Sequence, residues 1–190
     1  MAKPRKEREP LPEVKCGDSD CENDLHAYRE KRKKRGKDYE GVPCRDCGDD
    51  SFNWSEFTKR DLNNISLTFN ALKKEKIRNV FWNIEIDTYL RNELFNRGRI
   101  ELEKDVEFRI EKVIKKCGPE LFRDGTQTPL DQYNIIYFAQ HATATCCRKC
   151  LKIWHNVPYN KELDNNDIKY IKNIIMNYVD EKVPDLIDEK

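Results

Sequence analysis

Eight cysteines and three histidines stand in a chain of 190 residues, and each histidine lies five positions from a cysteine: His26 follows Cys21, His141 precedes Cys146, and His155 follows Cys150. Thiolates and neutral imidazoles are the ligands that Zn2+ favours. Two groups result. The first is Cys16-x4-Cys21 followed by Cys44-x2-Cys47, with His26 as a substitute ligand; the second is His141-x4-Cys146-Cys147-x2-Cys150-x4-His155. The spacing predicts two zinc ions.

A Cys-x2-Cys turn lets two thiolates reach one ion while backbone amides orient the sulfurs. Val42-Pro43-Cys44-Arg45-Asp46-Cys47-Gly48 has the form of such a knuckle. Pro43 stiffens its approach, and Gly48 is expected to relieve crowding behind the second sulfur. In the second group Cys147 and Cys150 fall one turn apart at a helix start, where the helix dipole favours thiolates. Cys146, His141 and His155 then offer more ligands than one structural ion needs. Four protein ligands close a zinc site, whereas three plus water leave it open to hydrolytic chemistry, with His141 as the candidate base. Another partition joins Cys44 and Cys47 to Cys147 and Cys150 as a treble clef, an arrangement shared by binding modules and HNH-type nucleases. Cys117 stands apart at a helix end and reads as a buried small hydrophobe.

Charged residues and hydrophobic residues each make up 37% of the chain, so the core should be small and helped by metal staples. A net charge of +1 removes any general argument for a polyanionic partner. The distribution revives it locally: Lys31, Arg32, Lys33, Lys34, Arg35 and Lys37 form a run dense enough to displace counterions from nucleic acid. Tyr39, Phe52, Trp54 and Phe57 flank that run as stacking candidates, although core packing is the commoner fate of aromatics. No apolar stretch approaches the roughly 18 residues of a spanning helix, and nothing resembles a signal peptide. A soluble cytoplasmic protein with reduced thiols is expected, with no membrane partner.

Those side chains need elements to position them. Residues 1–15 form a charged, proline-bearing leader, residues 16–54 the zinc-knuckle segment, 55–118 a helical segment, 119–184 a Cys/His-rich C-terminal domain, and 185–190 an acidic tail. Leu62, Ile65, Phe69 and Leu72 recur at helical steps, as do Ile77, Val80, Phe81 and Ile84. Gly98 should break the run before another amphipathic helix that ends near Cys117. Residues 134–139 read as a short buried β-strand leading to His141, and Thr145 as the cap of a helix through Trp154. A last helix should begin at Asp164 or Asn165. The fold class is α+β, mostly α-helical with a short β element, stapled by zinc through knuckle or treble-clef elements.

Gly125-x-Gln127-Thr128-Pro129, then residues 139–151, then Trp154-His155 closely resemble the signature of an uncharacterised bacterial family known as a domain of unknown function, DUF4186. The resemblance covers about residues 121–184. It implies that the second cluster works as a local unit and that the source is a bacterium or its virus. No substrate or catalytic role follows from it. The reading that results is a zinc protein associated with nucleic acid. The alternatives are a zinc-dependent enzyme such as an HNH-like nuclease, and a scaffold whose helical segment binds a protein partner through Trp82, Tyr89 or Phe95. No His-x-Glu or His-Glu-x-x-His spacing supports the enzyme.

Overall fold

The computed structural model describes residues 10–29, 42–57, 59–116, 128–158 and 160–187. The basic run at 31–37, Tyr39, Cys117 and the Gly125 to Gln127 part of the signature lie outside them. Eight α-helices carry the described chain. The apolar spacings form helices as expected: Phe69 and Leu72 are buried on α2 (Ile65–Leu72), and Ile77 and Phe81 on α3 (Lys76–Asn83). Asp87 accepts from the Leu90 amide to start α4 (Thr88–Arg97), and Gly98, at φ +79°, ends it in a conformation costly for other residues. The next helix, α5 (Arg99–Arg109), runs on through a π turn at Ile110–Ile114. Leu102, Val106, Ile110 and Ile114 thereby stay on one buried face.

Two expectations are corrected. Residues 134–139 are not a strand; they enter α6 (Ile135–Ala142), because the Asn134 side chain accepts from the Ile136 and Tyr137 amides. A short apolar run suits either structure, and here the cap decides for the helix. Among the described residues, β-pairing is confined to isolated bridges joining Asp20 to Leu25, His26 to Glu75 and Tyr28 to Cys44. Thr145 does not cap α7 (Arg148–His155). Its hydroxyl meets that of Thr143 at 3.1 Å, and Cys147 takes the cap position with no side-chain cap bond. The final helix, α8 (Asn165–Lys182), begins where expected, with Asp164 and Asp167 forming a reciprocal capping box.

One continuous hydrophobic core extends from Val14 to Leu186. Helix α3 packs on α6, and α8 lies across α5 and α6. Trp82 is buried against Phe69 and Tyr178, with ring centroids 4.7 and 5.2 Å away. Trp154 of α7 sits 5.1 Å from Trp54 of α1 (Trp54–Phe57) and 5.8 Å from both Tyr28 and Phe52. Phe52, Trp54 and Phe57 therefore weld the cysteine-bearing N-terminal segment onto α7, Trp54 and Phe57 being buried and Phe52 half-buried. Tyr89 and Phe95 remain exposed while Trp82 does not. No helix among the described residues is long and apolar enough to cross a membrane.

Candidate metal centres

The first centre is built by two folded-back turns. A 3-10 turn at Cys21–Asn23 ends on Asp24, at φ +56°, and the Asp20–Leu25 bridge returns the chain so that His26 faces Cys21. The knuckle closes through Cys44 N–H to Asp49 O at 2.7 Å and Gly48 N–H to Cys44 O at 2.9 Å. Gly48 has φ +82°, and a Cβ there would meet nothing within 4 Å. The glycine is needed for its left-handed backbone, not for the crowding the sequence implied. The Ala27 and Asp49 amides each donate to a sulfur at 3.4 Å, the first to Cys44 and the second to Cys47.

These turns bring the ligand atoms of Cys21, His26, Cys44 and Cys47 all within 4.8 Å of one another. Zn–S bonds of about 2.3 Å in a tetrahedron require sulfurs about 3.8 Å apart. Cys21 and Cys44 are separated by 3.8 Å, and Cys47 Sγ lies 3.3 Å from His26 Nδ1. The donor set fits a divalent metal ion. His26 Nε2 donates to the Asp24 carboxylate at 2.9 Å, which leaves the Nδ1 lone pair aimed among the sulfurs. A carboxylate behind the imidazole is the arrangement that fixes ring orientation and raises ligand basicity at metal sites.

Without a cation, these donors compete for charge. Desolvation opposes ionisation of Cys44, but the Ala27, Cys47 and Asp46 amides and His26 bring its thiol down to about 6. Cys21 is pushed up to about 11 by desolvation and by its sulfur neighbours. Burial works against a charge on His26, yet Asp24 and the Cys44 and Cys47 sulfurs raise it to about 9. A metal ion binding here must displace protons from this set.

The second centre sits at the start of α7. Cys146, Cys147 and Cys150 are all buried, with sulfurs 3.6 Å apart between Cys146 and Cys150 and 3.5 Å between Cys147 and Cys150. Disulfides, at about 2.05 Å between sulfurs, are absent among the described residues. Arg78 reaches in from α3, donating Nη2 to Cys150 Sγ at 3.0 Å, Nη1 to Cys146 Sγ at 3.5 Å and Nη1 to His141 O at 2.8 Å. Its Nε donates to Glu75 at 3.1 Å, and the same carboxylate oxygen accepts from Trp154 Nε1 at 2.9 Å. Hydrogen bonding with the neighbouring sulfurs, together with Arg78, holds Cys146 well below the ordinary thiol range against the cost of burial; its sulfur neighbours and burial drive Cys147 well above it. Three buried sulfurs gathered within 4.8 Å form a candidate cation site.

His141 and His155 fall in neither group. His141 Nε2 lies 3.1 Å from both the Thr128 and Pro129 carbonyls, so it donates there. Its ring stacks on Phe81 at 4.5 Å, and its buried Nδ1 meets no hydrogen-bond partner. His155 Nε2 donates to Thr143 O at 2.8 Å, and its Nδ1 accepts from the Tyr170 hydroxyl at 3.0 Å. Desolvation brings both imidazoles down to about 4, and both serve as neutral core cross-braces. Cys16 likewise lies outside the first group, and Cys44 and Cys47 do not join Cys147 and Cys150, so the treble-clef partition is not formed.

Asp24, Glu75 and Arg78 carry no distinctive signal in the sequence. The Glu75-x2-Arg78 spacing is that of an ordinary helical ion pair, and only its burial beside sulfur gives it meaning. Asp24 stands two positions before a histidine, a weak signal that becomes specific once the turn is folded.

No solved structure matches the chain. Residues 66–180 match a family model, a longer reach than the resemblance over 121–184, and the addition carries Glu75 and Arg78 into the same unit as Cys146, Cys147 and Cys150. The chain belongs to the family described as Domain of unknown function (DUF4186).

Proposed function

We propose that this protein is a zinc-stapled binding module, associated with nucleic acid, whose two metal ions hold structure in a reducing cytoplasm. The observation that carries the metal reading is the presence of two sulfur-rich donor groups, each gathered within 4.8 Å and each supported by a charged partner, Asp24 or Arg78. Thiolate-rich donor sets select zinc among the common divalent ions. The nucleic-acid part rests on placement. The basic run of Lys31, Arg32, Lys33, Lys34, Arg35 and Lys37 falls between the ligands His26 and Cys44, and the Tyr28–Cys44 bridge fixes both of its anchors at the first centre. Neutralising phosphates with such a run releases counterions and gives a salt-dependent affinity.

Elemental analysis of the purified chain tests the metal reading. Two zinc ions per chain are expected, and Cys147→Ser lowers the ratio towards one. A metal-free native protein, or a Cys147→Ser variant with the full ratio and unchanged melting, overturns it.

A further inference from the structure

A guanidinium carries five N–H donors in a fixed fork and no acceptor, so an arginine drawn partly out of water is matched by a carboxylate or another oxyanion. Arg109, the last residue of α5, is half-buried, yet its hydrogen bonds among the described residues go to neutral oxygens: Nε donates to Gln140 Oε1 at 2.6 Å and Nη2 to Thr128 Oγ1 at 3.3 Å. Its Cζ lies over the ring of Tyr137, 4.3 Å from the centroid. Tyr137 and Gln140 stand three positions apart on α6, which puts them on one face. The cation is held in place by neutral groups.

Gln140 supplies the second observation. The residue is fully buried, and because an arginine can only donate, the atom that faces Arg109 is the amide oxygen. Thr128 Oγ1 lies 3.0 Å from that same oxygen. The orientation of the amide is therefore fixed, and its Nε2, bonded to the same carbon as Oε1, borders the guanidinium. This buried nitrogen meets no hydrogen-bond partner. A buried donor left unmade costs free energy, and such a group calls for an acceptor.

We propose that Arg109 and Gln140 form an anion-binding corner for a terminal phosphate group, with Tyr137 beneath the guanidinium. Three N–H bonds of Arg109 and two of Gln140 remain for a ligand once the contacts above are made. Five donors exceed the roughly four lone-pair sites of a carboxylate, whereas a terminal phosphate presents three strong acceptor oxygens. The ligand enters from the Arg109 side, which is not closed to water. The corner backs onto the second metal centre, since Thr128 Oγ1 also lies 3.2 Å from Cys146 O, but it uses none of that centre's sulfurs. Arg109, Thr128, Tyr137 and Gln140 all fall within the family match. Such a phosphate can come from a small phosphorylated molecule or from the end of a nucleic acid.

A plain cross-brace between α5 and α6 would bind nothing, so a titration of the full chain with inorganic phosphate decides. At constant ionic strength the Arg109 Nε–H resonance should shift saturably and the melting temperature should rise, with no such response to acetate. Gln140→Glu keeps an oxygen for Arg109 Nε and puts a second carboxylate oxygen where the amide nitrogen stood. This variant should fold and bind phosphate about tenfold more weakly or worse. Arg109→Met should abolish the response with zinc content unchanged; should it not fold, the wild-type resonance and Gln140→Glu suffice. A resonance insensitive to phosphate, an equal response to acetate, or undiminished affinity in Gln140→Glu overturns the proposal. Oligonucleotides with and without a 5′-phosphate then separate the sources. Tighter binding of the phosphorylated one, lost in Gln140→Glu, assigns the corner to nucleic-acid ends; equal binding beside saturable phosphate assigns it to a small phosphorylated molecule. Failure here leaves the metal reading and the basic run untouched.

Discussion

Arg78 donates to the Cys150 sulfur at 3.0 Å from inside the core, with both side chains nearly closed to water. A guanidinium in that position does two jobs: it lowers the cost of thiolate charge, and it neutralises the buried Glu75. Through Glu75 it also reaches the other centre. His26 N–H donates to Lys74 O at 2.7 Å and Lys76 N–H to His26 O at 2.9 Å, so the strand-like clasp on His26 surrounds Glu75. The two candidate metal centres thus share one buried ionic hinge, Glu75 and Arg78.

Replacing Arg78 with Met should therefore destabilise the protein by about 3–5 kcal/mol, the usual effect of leaving a buried charge without its partner. Urea unfolding measures this. The double variant Glu75→Gln/Arg78→Met should recover part of the loss, because no isolated carboxylate then remains. A single variant as stable as the wild type would show that the ion pair is not needed.

Asp24→Ala removes the carboxylate that orients His26. Affinity of the first centre for Zn2+ should fall about 10- to 100-fold, as for other groups that support a metal-bound imidazole. Competition with a chelator reads it. The second centre, whose sulfurs are supported by Arg78 instead, should keep its affinity, so equal weakening at both would count against two separate sites.

Acid should weaken the fold through His155. Its imidazole is brought down to about 4 by desolvation, against an ordinary value of 6.5, so the unfolded chain binds the proton more readily. Stability from the neutral ring is fully present above pH 6.5 and is lost as pH falls from there towards 4, at about 1.4 kcal/mol per pH unit. His155→Gln can still donate to Thr143 O and cannot titrate. The slope of unfolding free energy against pH should be shallower in that variant by about this amount across the window; identical slopes would show that His155 does not carry it.

Changing Lys31, Arg32, Lys33, Lys34, Arg35 and Lys37 to Gln should weaken binding to a nucleic-acid duplex and flatten its dependence on salt. Each phosphate that the variant leaves unneutralised should reduce the slope of log K against log salt by about 0.9. Zinc content should not change, since none of the six is a ligand. Unaltered affinity would shift the assignment of this protein towards a protein-binding scaffold.

Local spacing is enough to reveal the chemistry and most of the helices. The intervals between cysteines and histidines single out the knuckle at Cys44 and Cys47 and the cluster at residues 146–150, and apolar steps of three and four locate α2, α3, α5 and α8. Periodicity works here because a helix face is set by residues within a few turns of one another. At α6 the local Asn134 cap overrules β-prone side chains, and long-range packing divides the ligands. His141 and His155 share cysteine spacing with true ligand candidates, yet carbonyl oxygens claim the Nε2 of each, and the Tyr170 hydroxyl claims Nδ1 of His155. Such choices depend on contacts between residues from a dozen to several tens of positions apart, and no local spacing encodes which of several equivalent donors the folded chain brings together.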